Sequence, residues 1–252
     1  MSRSVAVEIA VQDVAGARGA LASGATRLEL CQALAVGGLT PSLGLLEAVL
    51  EAVDPAAVNV LVRPRGGGFV YSDEEIGLVA ADIRACVSRG AGGVVVGALT
   101  PGGRADVSAL ARWREAAGEA ALVFHRAIDA ADDPLAVLSD LRGAGVDRVL
   151  TSGGAARSVD GVAALASLVA ASDGIEIMAG GGVRPADIGA LVACGVDAVH
   201  LSARAVGGAG APSGPGGGAD GHDITDLAVV GAAVRAAAAA VAAADTPGTL
   251  KA

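Results

Sequence analysis

Eight times along this chain a short apolar run rich in Val, Ile and Leu is followed by a longer amphipathic stretch, and this alternation constrains the fold more than any other feature. The strand-like runs fall at 5–11, 26–31, 58–63, 92–97, 121–127, 148–152, 175–179 and 198–202. Nearly continuous apolar runs need cover on both faces, which a parallel sheet wrapped by helices provides. Asp13, Ser42, Ser72 and Ser158 stand where helix N-caps are required. The repeat recurs about every 30 residues, the length of a βα unit. No G-x-G-x-x-G follows the first run, which argues against an open dinucleotide-binding sheet, and eight units close into a barrel. The predicted fold is α/β, a single (β/α)8 TIM-like barrel over 1–245. A Gly-rich loop at 207–221 precedes its last helix, and 246–252 forms a flexible tail.

With 53% hydrophobic residues and only 2% aromatics, the core must be built from Ala, Val, Leu and Ile. A net charge of −9 sets the surface against nucleic acid and anionic lipid as partners. The stretch 227–244, charged only at Arg235, is mostly alanine and reads as a helix of the barrel rather than a membrane span. Glu8 interrupts the first apolar run, which is unlike a secretory signal. Cys31, Cys86 and Cys194 form no C-x-x-C and no paired framework. These features predict a cytoplasmic protein. The sole lysine is Lys251, in the tail, so a Schiff-base mechanism has no carrier.

Charged residues are costly inside apolar strands, so those present mark function or a strand end. Glu8 lies within strand one, Glu29 near the end of strand two, Arg63 and Arg65 after strand three, and His125 and Arg126 late in strand five, with Asp129 beyond. Strand six ends in Thr151-Ser152-Gly153-Gly154, strand seven in Ala179-Gly180-Gly181-Gly182, and strand eight carries His200 and Ser202. All but Glu8 sit toward C-terminal strand ends, where barrel active sites assemble. Period-two parity puts Glu29 with Cys31, Arg63 with Asn59 and Leu61, and His200 with Ser202, so Glu29, Arg63, His125 and His200 can converge on one mouth. Arg126 points away unless strand five has already ended.

From this pattern Glu29, His125 and Glu8 are the candidate catalytic residues for proton transfer. The candidate anion binders are Arg63, Arg65, Arg126, Ser152, Gly153, Gly154, Gly180, Gly181, Gly182, Arg184, His200 and Ser202, the glycines because bare backbone N–H groups can surround an anion. Arg63 reads as an uncompensated charge whose replacement by Ala leaves stability unchanged or raised. The Gly-hinged run 65–71 could cover a ligand. The competing reading is a structural ion-pair network closing the barrel. For a soft metal such as copper(I), Cys31 is the one mouth thiol, with His125 and His200 to join it, while Cys86, Cys194 and Met178 read as core. A hard cation on Glu8, Glu29 and a histidine is opposed by the neighbouring arginines. His222 reads as solvent-exposed within the Gly-rich loop.

Taken together, Arg27-Leu28-Glu29-Leu30-Cys31, Gly37-Gly38-Leu39-Thr40-Pro41-Ser42, Arg63-Pro64-Arg65-Gly66-Gly67 and Phe124-His125-Arg126-Ala127 resemble the CutC family. The segments 149–154 and 178–185 extend the resemblance, which covers roughly residues 5 to 202. Val199 departs from it, since family members often carry an aromatic residue before the strand-eight histidine. The resemblance implies a TIM-like barrel, a cytoplasmic homo-oligomer, and a link to copper homeostasis with copper as the bound ion. It implies no reaction. Two functions of different class follow: a copper-binding homeostasis protein, or a barrel enzyme of acid–base or lyase chemistry on a small anionic or phosphorylated metabolite.

Overall fold

The computed structural model describes residues 4–208 and 221–244. Eight parallel strands close into a barrel in chain order: β1 Ala6–Val11, β2 Arg27–Leu30, β3 Val58–Leu61, β4 Gly93–Val96, β5 Ala121–Phe124, β6 Arg148–Thr151, β7 Glu176–Gly180 and β8 Ala198–Leu201. The ring closes where β1 pairs with β8, Glu8 opposite His200. Outside it lie α1 Val14–Ala22, α2 Leu43–Ala52, α3 Asp73–Val87, α4 Val107–Ala117, α5 Pro134–Arg142, α6 Val162–Ala170, α7 Ile188–Ala193 and α8 Leu227–Ala244. The (β/α)8 barrel expected from the alternation is the fold observed.

Alternation along each strand divides the interior in two. Outward residues such as Ile9, Leu28, Val60, Val94, Leu122, Val149, Ile177 and Val199 join the helices in the larger core. Inward ones, among them Ala10, Cys31, Leu61, Val95, Val123, Leu150, Met178 and Ala198, form a second cluster inside the barrel. That inner plug is small, and polar side chains occupy the barrel above and below it. Helix α8 is apolar enough, at 18 residues and mean hydropathy 2.0, to pass for a span by length and composition. In the fold it is the eighth helix of the ring, burying Val230, Ala233 and Ala237 and packing on α1, α7 and β1.

Three of the expected caps form: Asp13 accepts from the Gly16 N–H at 2.7 Å, Ser42 from Leu45 at 3.2 Å, and Ser72 makes a reciprocal capping box with Glu75. Ser158 does not cap. It is buried in a 3₁₀ turn, 158–161, and its hydroxyl donates to the Gly181 carbonyl at 3.0 Å. Strand five stops at Phe124, short of the expected 127, because the His125 ring caps a 3₁₀ turn over Arg126–Ala130. Between β8 and α8, two short strands missed by the sequence reading, β9 Arg204–Gly207 and β10 His222–Thr225, pair antiparallel. They bracket the Gly-rich segment, of which 209–220 lies outside the described residues, as does the expected tail at 246–252.

Candidate functional site

The barrel floor is ionic. Glu8, fully buried, accepts from Asn59 Nδ2 at 3.0 Å, meets His200 Nδ1 at 3.0 Å, and lies 3.4 Å from Arg27 and 3.9 Å from Arg148. Glu176 holds both arginines from the other side, Arg27 Nη2 at 2.5 Å and Arg148 Nε at 3.0 Å. Sequence reasoning gave no role to Arg27, Arg148 and Glu176, which lie in the N-terminal halves of the expected strands two, six and seven. Their parity with Glu29, Leu150 and Met178 was the signal that all three turn inward.

Above this floor a cavity of about 210 Å³ opens at the C-terminal end of the strands, lined by Glu29, Arg63, Phe69, His125, Arg126, Gly181, Gly182, Val183, His200 and Ser202 among others. Glu29, Arg63, His125 and His200, expected to converge, do so. Glu8 does not line the cavity; it acts on the site from below, through its contact with His200 and through its charge beside Glu29.

The two histidines are buttressed in opposite ways. The Ala127 N–H donates to His125 Nδ1 at 3.2 Å, so this nitrogen keeps its lone pair and the neutral ring carries its proton on Nε2. That Nε2 is buried without a partner in the described protein. Burial, then the Arg63 charge, pushes the His125 pKa down to about 3. A side chain at Gly97 would overlap the imidazole, so the glycine makes the ring's berth. At His200 burial opposes the charge, but Glu29 and the hydrogen bond to Glu8 outweigh it and raise the pKa, favouring imidazolium. Glu8 stays a carboxylate: burial works against it, and the His200 contact and both arginines prevail. Glu29 has no hydrogen-bond partner among the described residues, and burial lifts its carboxyl to about 7 despite the pull of His200.

Arg63 reaches the cavity with its charge already engaged. Nη1 donates at 3.3 Å to the carbonyls of Val36, Gly37 and Gly38, Nη2 donates to Gly67 at 2.9 Å, and the guanidinium lies 5.2 Å from the Phe69 ring centre. It clamps the loops after β2 and β3 together, so it is not the uncompensated charge the sequence suggested. Arg65 turns outward, paired with Glu75 and stacked on Tyr71, and does not line the cavity. Arg126 does line it, because the strand has ended before it.

The strand-six turn is filled from within. The Asp129 carboxylate accepts from the N–H groups of Ser152 (3.0 Å) and Gly154 (3.2 Å), from both the Thr151 and Ser152 hydroxyls, and from Arg126 Nε at 2.7 Å. Ser152 and Gly154 thus hold an internal anion instead of a ligand, and the Gly153 N–H is taken by the Thr151 hydroxyl at 2.9 Å. Arg184 is exposed and paired with Asp187, away from the cavity; Gly180 packs against Leu150 and His200.

The soft-metal trio does not form. Among the described residues the one grouping of three His, Cys, Asp or Glu ligand atoms within 4.8 Å of one another is Glu8, Glu29 and His200. Cys31 is fully buried in the inner plug with its thiol toward the Val11 carbonyl at 3.8 Å, and burial plus the Glu29 charge push its pKa up. A protonated, enclosed thiol is a poor copper(I) ligand, so these residues do not fit that ion. The acidic grouping is no better suited to a hard cation, since Arg27, Arg148 and His200 already compensate Glu8. His222 is exposed, as expected, at the start of β10.

The CutC family model matches residues 5–205. A family protein CutC of Xylella fastidiosa (strain 9a5c) is 43% identical over 208 residues, 82% of this chain and 78% of its own length. One from Xanthomonas campestris pv. campestris (strain 8004) is 44% identical over 200 residues, 79% of this chain and 83% of its own. The crystal structure of a protein from Streptococcus agalactiae, described as a candidate copper homeostasis protein CutC, superposes with a TM-score of 0.72 at 30% identity, covering 79% of this chain and 98% of that one. Thiamine phosphate pyrophosphorylase from Pyrococcus furiosus, at 14% identity and TM-score 0.58, shares the fold alone. Family match, identity and superposition agree: the chain belongs to the CutC family.

Proposed function

We propose that this chain is an enzyme of acid–base chemistry acting beside a carbonyl group on a small anionic metabolite. The observation that carries the reading is a buried Glu29, with a pKa near 7, sharing a cavity with the Nε2–H of a neutral His125, both without a hydrogen-bond partner among the described residues. A base is most useful when its pKa lies near the working pH, and a neutral imidazole held on Nδ1 offers a fixed donor to a carbonyl oxygen. In the reaction Glu29 takes the proton from the carbon next to the carbonyl. The C–H electron pair moves into a new C=C bond, and the carbonyl oxygen takes up the negative charge against His125 Nε2–H. Return of the proton from Glu29, or delivery of one from the His200 imidazolium to a different atom, completes the shift. Arg63 and Arg126 supply the positive field for an anionic substrate. Lyase chemistry through the same enolate is open to this site without an amine nucleophile.

Cys31, Cys86 and Cys194 are thiols, which supports placing the enzyme in the cytoplasm. The copper reading has the family's naming behind it but no cluster of soft ligands among the described residues. The test is proton exchange: the protein is incubated in D2O with a panel of small aldehydes, ketones and 2-oxo acids, with and without phosphate groups, and loss of the carbon-bound proton is followed by NMR. Wild type should exchange at least one of them, Glu29→Gln none, and His125→Gln about 10²-fold more slowly. No exchange by wild type across the panel, or exchange that survives in Glu29→Gln, overturns the reading.

A further inference from the structure

We propose that the loop after β7 is a phosphate subsite, built from the backbone N–H groups of Gly181, Gly182 and Val183 with the guanidinium of Arg126, and that the substrate of the acid–base reaction is a phosphate monoester. The inference rests on that reaction only for the identity of the bound molecule as substrate; the subsite itself is argued from the loop.

Two Gly-rich turns stand side by side at the mouth, and only one is filled. After β6 the donors are consumed by Asp129. After β7 the chain makes the same kind of turn, with Gly181 at φ +115 and Gly182 at φ +61, but no carboxylate of the described residues enters it. The N–H groups of Gly181, Gly182 and Val183 have no acceptor among the described residues, and all three residues line the cavity. Their direction is set by Ser158, whose N–H and hydroxyl both donate to the Gly181 carbonyl, at 2.9 and 3.0 Å. In a trans peptide the C=O and the following N–H point opposite ways, so pinning that carbonyl on Ser158 turns the Gly182 N–H away from the 158–161 turn.

Arg126 supplies the charge. Nε is bound to Asp129 and Nη2 to the Ser152 hydroxyl at 3.1 Å, which fixes the guanidinium and leaves Nη1 without a partner among the described residues. A Cβ at Gly181 would sit 3.0 Å from Arg126 Cζ and 3.1 Å from Nη1, so the glycine is what lets the guanidinium lie against this loop. Asp187, the first carboxylate after the loop, is neutralised by both Arg157 (2.7 Å) and Arg184 (3.3 Å). A second observation points to a ligand in the same cavity: His125 Nε2, on a side chain only 6% exposed, has no partner.

The donor count selects the class. Three amides and a guanidinium N–H with no carboxylate of the described residues among them suit the three tetrahedrally disposed oxygens and the nearly double negative charge of a phosphate monoester, whereas a carboxylate brings one charge and two oxygens confined to a plane. With the phosphate on this loop, the rest of the molecule occupies the remaining cavity, where Glu29 and His125 wait.

The experiment titrates the uniformly ¹⁵N-labelled full chain with methyl phosphate, and separately with acetate, at constant ionic strength. Methyl phosphate should shift the amides of Gly181, Gly182 and Val183 with saturation, and acetate at equal concentration should bind at least ten-fold more weakly. Arg126→Gln should weaken methyl phosphate at least ten-fold. Gly181→Ala, which drives a methyl group against the guanidinium and strains the backbone at φ +115, should do the same, and unshifted amides elsewhere in the spectrum of each variant show that the barrel is still folded. Acetate binding equal to phosphate, shifts confined to other parts of the chain, or full affinity in both variants overturns the subsite. Phosphate binding without proton exchange on any carbonyl compound would leave the subsite standing and remove the reaction. Exchange on unphosphorylated compounds with no phosphate shift would do the reverse.

Discussion

If Glu29 is a base held ready by burial, replacing it should make the barrel more stable, and more so as the pH rises. Its carboxyl titrates at about 7 in the fold against an ordinary 4.5, and burial is the main cause. Below pH 4.5 the group is protonated in both folded and unfolded chains and costs nothing. Between 4.5 and 7 the unfolded chain gives up the proton first, so stability falls; above 7 the whole penalty is present. The gap between 4.5 and 7 corresponds to about 3 kcal/mol at roughly 1.4 kcal/mol for each tenfold change in proton affinity. Glu29→Gln keeps the shape and removes the titration. Its stability relative to wild type should therefore climb by about 3 kcal/mol between pH 4.5 and 8, or ~6–12 °C in Tm for a domain of this size. Any cost of burying the amide is independent of pH and drops out of the slope. Urea unfolding of both proteins at pH 5, 6, 7 and 8, with m held common, measures it. A difference flat with pH, or a variant that loses ground to wild type as pH rises, would show an ionised Glu29 bracing the barrel, and the base would have to be sought elsewhere.

Arg63→Ala should destabilise by about 2–4 kcal/mol in the same assay, because four carbonyls from two loops lose their charged donor; a variant as stable as wild type would restore the idea of an uncompensated charge. For copper, Cys31→Ser should leave the Cu(I) affinity, measured against a competing chelator under reducing conditions, within two-fold of wild type, since the thiol is enclosed and protonated. Loss of most of the affinity in that variant would reinstate Cys31 as a ligand and open the plug to metal.

The barrel was legible because its signal is periodic: eight apolar runs repeat a pattern that only a parallel, helix-covered sheet accommodates. The inward parity of Glu29, Arg63, His125 and His200 was legible for the same reason, each lying on a strand or within two residues of its end. What the sequence hid was partnership. Nothing in Arg65-Gly66-Gly67 tells that Arg65 turns out to Glu75 while Arg63 turns in to backbone carbonyls, because both choices depend on loops distant in the chain. Asp129 was visible as a charge near the mouth, but its capture by the Thr151–Gly154 turn could be found only once β5 and β6 stood side by side. The ribbon of β9 and β10 escaped because four-residue strands next to a Gly-rich segment carry almost no periodic signal.

The site's chemistry follows from what each histidine's Nδ1 touches. A backbone N–H on His125 Nδ1 forbids a proton there and makes Nε2 a permanent donor; a carboxylate on His200 Nδ1 demands a proton there and favours the cation. The first contact exists because β5 ends one residue before His125 and the chain turns at once into a 3₁₀ coil, bringing the Ala127 N–H back over the ring. The second exists because β1 and β8 close the barrel in a register that sets Glu8 opposite His200. One strand end and one strand pairing thus place a neutral donor and a cationic acid beside a single unpaired carboxyl. Shifting the β1–β8 register by one residue would turn Glu8 outward into the helix layer, strip His200 of its counter-ion and leave Arg27 and Arg148 facing Glu176 alone. The ionic floor that at first looks like mere barrel closure is therefore also what fixes the protonation of the residue above it.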